Sequence, residues 1–316
     1  MERVVFFGSP DFAVPSLEAL ISSGRAPVLV VTQPDRPAGR GKKLAATPVR
    51  RTAEERGIPV LVLESFRSGG VLERLRELEP DFFVVVSFGR IFPPEALRIA
   101  RVANVNLHAS LLPAYRGASP INRAIVNGDP WSGLTTMEMA EALDAGPVYL
   151  QRLVAIDARE NAGAYAERLA AEGAPLIVET IRRIREEGLR PVPQQADGVS
   201  AAPRLRKEDG SIPWEKDAIR VHDHIRGMNP WPGSFTHHRN VYLKVLDAEP
   251  LDLLPRGSQP GLVLEARGSS IVVACGRGAV RLKVIQAEGK RPLEAARFLQ
   301  GYSLVQGEML GREADR

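Results

Sequence analysis

Four runs of this chain are too apolar to leave one side in water: RVVFF at 3–7, VLVVT at 28–32, IPVLV at 58–62 and FFVVVSF at 82–88. Strands buried on both faces lose the alternation of a surface strand, and they belong to parallel sheets covered by helices. The intervening stretches supply the helices. Leu17, Leu20 and Ile21 recur at helical spacing, and 48–56, 70–78 and 94–100 read the same way. VNLH at 105–108 reads as a strand end and 120–127 as a helix; TTMEM and VYLQRLVAI read as two more strands, and 161–187 as a long helix. Alternation from residue 1 to 190 predicts an α/β domain with a doubly wound, mostly parallel sheet.

The pattern then changes. A Pro-, Gly- and polar-rich stretch reads as a linker over 191–206, and 207–316 never returns to strand–helix alternation. After a helix near 215–227 come short runs (SFTHH, VYLKVLDAE, GLVLEA, SIVVACG, AVRLKVIQAE) separated by Gly- and Pro-rich turns, then a helix at 292–299. That rhythm predicts a small β-barrel, OB-like, as a second domain.

Bulk properties exclude several classes. Cys275 is the single cysteine, so no internal disulfide can form and a reducing cytoplasm is the expected compartment. No apolar run reaches the roughly 18 residues of a membrane span, and the N-terminus reads as a first strand rather than a leader. The net charge of +4 is mild; by itself it does not argue for nucleic acid. The histidines are His108, His222, His224, His237 and His238, with no metal-binding spacing, and His222 and His224 fall on different faces of a helix, so no metal is expected.

Two stretches carry chemistry. Strand alternation puts Asn106 and His108 on one side, at a strand's carboxyl end, just before the broken loop Ser110-Leu111-Leu112-Pro113. That is where open α/β sheets bind ligands. An Asn amide and an imidazolium can both donate to an oxyanion forming during acyl transfer. Asp144, in AEALDAG, is a third candidate; Glu138 and Glu141 compete with it, and a turn-forming Asp is the plainer reading. The second stretch is the loop 33–50, with Arg36, Arg40, Lys42, Lys43 and Arg50 around Gly39 and Gly41. It is either a solvated surface loop or an arm that grips phosphates without reading bases; GxxxxGK[ST] is absent, so it is not a P-loop.

GSPDFAVPSLEAL, TQPDRPAGRGKKL, FGRIFPPEAL, NxHxSLLPxYRGASPI, TxMxMxxxLDAG, APRLRKEDGSIPW and NPWPG together closely resemble the methionyl-tRNA formyltransferase branch of the folate-dependent formyltransferases, nearly end to end. The resemblance implies transfer of a formyl group from 10-formyltetrahydrofolate to the α-amine of methionine on initiator methionyl-tRNA, in support of translation initiation. It also implies that Asn106, His108 and Asp144 are catalytic and that Ser110, Leu111, Leu112 and Pro113 hold the folate. Arg40 matches the tRNA-loop arginine, with Arg36, Lys42 and Lys43 beside it, and the C-terminal domain becomes the expected second tRNA contact. A monomer is the simplest expectation. Two positions depart from the usual pattern: Ala145 in DAG where DTG is frequent, and Ser9 in GSP where GTP is frequent.

The mechanism expected from these residues has Asn106 and a protonated His108 stabilising the oxyanion, while Asp144 orders a water that moves a proton to the leaving folate nitrogen. NPWPG admits two readings, a turn packed on the barrel or a tryptophan stacking on a base. From 207 onward 16 Lys and Arg face 14 Asp and Glu, so Arg239, Lys244, Arg281, Lys283, Lys290 and Arg291 matter only if they line one face. A nicotinamide-dependent dehydrogenase is disfavoured because GxGxxG is missing after the first strand. A small-molecule formyl acceptor is disfavoured by the basic loop and the second domain, and a non-catalytic tRNA binder by the intact trio.

Overall fold

A computed structural model describes residues 2–38, 43–67, 69–252 and 257–311. Its contacts divide into two compact units: Met1–Pro120, Ser132–Ala155 and Ala166–Pro203 form the first, and Ile121–Trp131, Ile156–Tyr165 and Arg204–Arg316 the second. Among the described residues no helix is long and apolar enough to cross a membrane.

The first unit is built on β1 (Val4–Gly8), β2 (Leu29–Thr32), β5 (Val60–Val62), β6 (Phe82–Val86), β7 (Ala103–His108), β8 (Trp131–Glu138) and β9 (Val148–Ala155), in the order β5-β2-β1-β6-β7-β8-β9. The strands in the order β5-β2-β1-β6-β7 run parallel; β1, β2 and β6 are buried throughout, as expected of a covered parallel sheet, whereas β5, at the sheet edge, is only partly buried. The first unit's helices are α1 (Val14–Ser22), α2 (Pro48–Glu55), α3 (Val71–Glu77), α4 (Pro94–Leu97) and most of α6 (Ala162–Glu187), whereas α5 (Pro120–Val126) falls almost wholly in the second unit. The strand order reverses between β1 and β6, so the carboxyl ends of β1, β6 and β7 share the edge where such sheets bind ligands. Phe88 and Phe92 anchor the loop after β6 by packing on Phe7, Phe66 and Phe83, all buried.

The alternation ends at β7. β8 runs antiparallel to it, pairing His108 with Thr135 and Val105 with Glu138. The nine residues 139–147 between β8 and β9 are too few for a helical crossover, which needs about a dozen or more. Part of the basic stretch is regular strand. β3 (Arg36–Ala38) and β4 (Lys43–Ala45) form a two-stranded antiparallel ribbon. Strands of three residues, one of them containing Pro37, are too short to show a period in sequence. Arg40 and Lys42 lie outside the described residues, as do the side chains of Arg36 and Lys43. Arg50 is committed to the ribbon's base, 3.0 Å from Asp35 and 2.8 Å from Glu54.

The second unit holds α7 (Ala218–Met228), β10 (Phe235–His238), β11 (Val241–Leu251), β12 (Val263–Arg267), β13 (Ser270–Ala274), β14 (Ala279–Ala287), β15 (Leu293–Glu294) and α8 (Ala295–Gly301). The strands form one curled antiparallel sheet, β10-β11-β14-β13-β12 with β15 added beside β14, an open half-barrel. Irregular register at Val245–Ala248 bends β11. Val221 and Ile225 of α7 and Ala295 and Phe298 of α8 share one hydrophobic core with the strands' buried face.

His224 on α7 is part of this buried face. Desolvation holds its imidazole pKa down to about 4, so it is neutral in the folded state at neutral pH. The unfolded chain takes up a proton near pH 6.5, so this contribution to stability is complete above that value. It is lost as pH falls from about 6.5 to about 4, by about 3 kcal/mol at 1.36 kcal/mol per pKa unit. Urea titrations at pH 7 and pH 4.5 should show most of that difference between the parent and His224→Gln. Equal pH slopes for the two proteins would remove His224 as the cause.

Candidate active site

β7 delivers the first side chains. Its register between β6 and β8 puts Asn104, Asn106 and His108 on one face. His108 is nearly closed off, with 7% of its side chain exposed, and its Nε2 lies 2.9 Å from the Tyr115 carbonyl. A carbonyl only accepts, so Nε2 carries the proton. Nδ1 faces Asp144 Oδ2 at 3.7 Å, too long for a hydrogen bond but within reach of an ion pair. The Asp144 side chain is 9% exposed, and the same Oδ2 accepts the Gly117 main-chain N–H at 2.8 Å.

Three acids competed for this position, and geometry separates them. Glu138 is held elsewhere: it accepts from the Asn104 main chain at 3.0 Å and from the Tyr149 hydroxyl at 2.6 Å. Burial and this carboxylate push the Tyr149 pKa far up, so the phenol stays protonated. Glu141 is exposed. Asp144 alone of the three faces His108. It does so from a left-handed backbone, φ 52°, a conformation Asp tolerates better than most residues. The hydroxyl missing at Ala145 is not needed to support the carboxylate, because Gly117 N–H does so.

Asn106 differs from its neighbours. It is half-buried, and its carboxamide makes no hydrogen bond to a described residue. In this arrangement the two ring nitrogens of His108 point at the Tyr115 carbonyl and at Asp144. Within the trio, Asn106 holds the uncommitted donor.

The loop after β7 is shaped from within. Ser110 Oγ donates to the Ala114 carbonyl at 2.6 Å, and its own carbonyl accepts from Thr135 Oγ1 at 2.7 Å. Leu112 N donates to Thr135 Oγ1 at 3.1 Å, and the Leu112 carbonyl accepts from Gln151 at 2.7 Å. Ser110 and Leu112 are buried, whereas Leu111 and Pro113 are partly exposed. Of the four expected folate contacts, Leu111 and Pro113 are the ones that keep some exposure. Sequence reasoning missed Thr135 and Gln151, which hold this turn. It also missed Gln194 and Ser200, which contact the site from the stretch read as linker. Their hydrogen bonds are long-range in sequence, and nothing local announces them.

In the second unit, Asn229 of NPWPG is buried and donates to the carbonyls of Ile225, Val245 and Leu246, fixing the turn to the half-barrel. Trp231 is 52% exposed, so the packing belongs to Asn229 and the indole stays at the surface. Three of the six cations singled out in this domain are paired with acids: Arg239 with Glu308, Arg281 with Glu249 and Lys283 with Asp247. Among the described residues, no cluster of three or more His, Cys, Asp or Glu could hold a metal.

Comparison with known proteins gives concordant matches. Residues 2–181 match the family described as Formyl transferase, and 204–303 match Formyl transferase, C-terminal domain. A methionyl-tRNA formyltransferase of Moorella thermoacetica is 44% identical over 309 residues, 98% of this chain and 99% of that protein. One from Thermodesulfovibrio yellowstonii is 40% identical over 304 residues, 96% and 97% of the two chains. Among solved structures, HypX from Aquifex aeolicus in complex with tetrahydrofolic acid shares the fold, with a TM-score of 0.62 at 18% identity. The match covers 97% of this chain and about half (50%) of HypX.

Proposed function

The chain belongs to the formyl transferase family, with its methionyl-tRNA formyltransferases as relatives along almost the whole length, and we propose that it formylates the α-amine of methionine on initiator methionyl-tRNA. A folate derivative is the formyl carrier, and 10-formyltetrahydrofolate is the form whose formyl group is activated for transfer. The observation that carries the chemistry is the uncommitted Asn106 amide beside the closed His108–Asp144 pair, at the ligand-binding edge of the sheet.

The acceptor needs positioning more than activation. A free α-amine has a pKa near 7.7–8.0, and esterification to tRNA lowers it, so a neutral fraction exists at pH 7. The amine lone pair attacks the formyl carbon, the new C–N bond forms, and the carbonyl pair moves onto oxygen. Asn106 Nδ2 donates to that oxygen. His108 joins as a second donor once its ring leaves the Tyr115 carbonyl, with the Asp144 carboxylate balancing the imidazolium. A water held by Asp144 carries the ammonium proton to the folate nitrogen as the carbon–nitrogen bond to the carrier breaks. Leu111 and Pro113 line the folate, with Ser110 and Leu112 holding the turn's shape.

Arg36, Arg40, Lys42 and Lys43 of the basic stretch 33–50 are the proposed phosphate contacts, and residues 207–316 the second tRNA surface. The test is formyl transfer from 10-formyltetrahydrofolate to charged initiator tRNA, with charged elongator methionine tRNA as control. Efficient transfer to the initiator alone is expected, and no transfer to either would overturn the reading. In the same assay, replacing these four cations by Ala should raise the KM for tRNA and flatten its salt dependence. An unchanged salt slope would exclude these contacts.

A further inference from the structure

The stretch read as linker returns over the site. Gln194 Nε2 donates to the main-chain carbonyl of Asp144 at 2.8 Å and to that of Gly146 at 2.7 Å. Its Oε1 accepts from Arg116 Nε at 3.1 Å and Arg116 Nη2 at 2.7 Å. One carboxamide therefore uses both N–H groups and both acceptor positions. It ties together the two loops that flank His108: 139–147, which carries Asp144, and 109–119, which carries Tyr115 and Gly117. Ser200 adds to the second attachment, its Oγ accepting from Tyr115 N at 2.9 Å and its carbonyl from Arg116 N at 2.8 Å.

We propose that Gln194 is a positioning residue for formyl transfer, setting the distance between the Asp144 carboxylate and His108. The proposal rests on the reading of Asp144 and His108 as the reacting pair. Its physical basis is the Asp144 backbone. At φ 52° this residue sits in a left-handed conformation that Asp visits more readily than most residues but that still costs energy relative to a right-handed one, and the surroundings hold it there. Here two contacts do so, Gly117 N–H on the side chain and Gln194 on the carbonyl. Without the second, the peptide can relax to a right-handed conformation, and the carboxylate swings away from Nδ1. Glutamine suits the position because two carbonyls on one side call for two N–H donors, while the Arg116 fork on the other calls for an acceptor. A glutamate would satisfy Arg116 and set a negative oxygen against the two carbonyls.

The test is single-turnover formyl transfer with both substrates saturating, on Gln194→Ala, Gln194→Glu, Asp144→Asn and the doubles. A loss of registry of this kind is worth about 10- to 100-fold in rate. Gln194→Ala and Gln194→Glu should each lose that much, with both KM values within about twofold of parent. In the Asp144→Asn background the same changes should cost less than about threefold, because groups acting as a unit are not additive. A parental rate in the Gln194 variants, or a full multiplicative loss on top of Asp144→Asn, overturns the proposal. A parental rate for Asp144→Asn alone instead overturns the pair on which it rests. Gln194→Glu keeps the Arg116 attachment and so supplies the comparison if the alanine variant does not fold.

Discussion

His108→Ala and Asp144→Asn should each lower kcat by about 10²–10³, roughly 2.7–4 kcal/mol of transition-state stabilisation, with tRNA affinity within about twofold of parent. The two variants act through different atoms. Alanine at 108 removes both the Nε2 contact to Tyr115 and the ring that faces Asp144. Asparagine at 144 keeps an oxygen to accept the Gly117 N–H, so the loop retains its anchor. What it loses is the negative charge 3.7 Å from Nδ1. Its amide can instead donate to an unprotonated Nδ1, locking the imidazole in the neutral form that cannot serve as a cationic donor. Both residues are buried and neither is among the proposed phosphate contacts, so tRNA binding should be spared. Steady-state formylation combined with a direct tRNA-binding titration separates these effects. Turnover within about threefold of parent in either variant would remove that residue from the chemistry.

Those two residues also mark how far the chain can be read without coordinates. The parallel half was legible because burial on both faces leaves an unbroken apolar run, and β1 and β6 are buried at every position. The antiparallel edge was not, since TTMEM reads the same whichever way it runs and its direction shows only in its pairing with β7. Asn106 and His108 were legible as a pair through strand parity. Asp144 could not be chosen over Glu138 and Glu141 from sequence, because the choice depends on contacts remote in the chain: Tyr149 and Asn104 claim Glu138, and Gly117 claims Asp144. Arg50 looked like one more phosphate-binding cation until Asp35 and Glu54 were found against it. Gln194 gave no signal at all. An isolated glutamine in a Pro-rich stretch resembles linker composition, and only tertiary contacts show it holding the site.

Gly146→Ala should be the most damaging single methyl in the first unit. A Cβ at 146 would stand 1.8 Å from the Glu138 carbonyl oxygen and 2.9 Å from its carbon. The obstacle is backbone, so no side chain can rotate out of the way. That backbone is also held at both ends: Glu138 N–H donates to the Pro147 carbonyl at 2.9 Å, and Met139 N–H to the Asn104 carbonyl at 2.9 Å. Gly146 is not in the left-handed region, so the demand for glycine is one of space alone. The chain can yield only by lifting the 139–147 loop off the end of β8. Overpacking of this kind costs about 1–3 kcal/mol, occasionally more. The lift also withdraws the Gly146 carbonyl from Gln194 and moves Asp144, two residues away, from His108. A displacement of about 1 Å at a reacting group costs about 10²-fold, so kcat should fall by about that factor even in the fraction that remains folded. Gly301→Ala, at the end of α8 with no atom within 4 Å of the added Cβ, is the control and should leave both stability and turnover near parent. Chemical denaturation together with turnover per folded molecule tests the pair of effects. Parental stability and parental kcat for Gly146→Ala would mean that the loop moves without cost and that its register does not hold Asp144 in place.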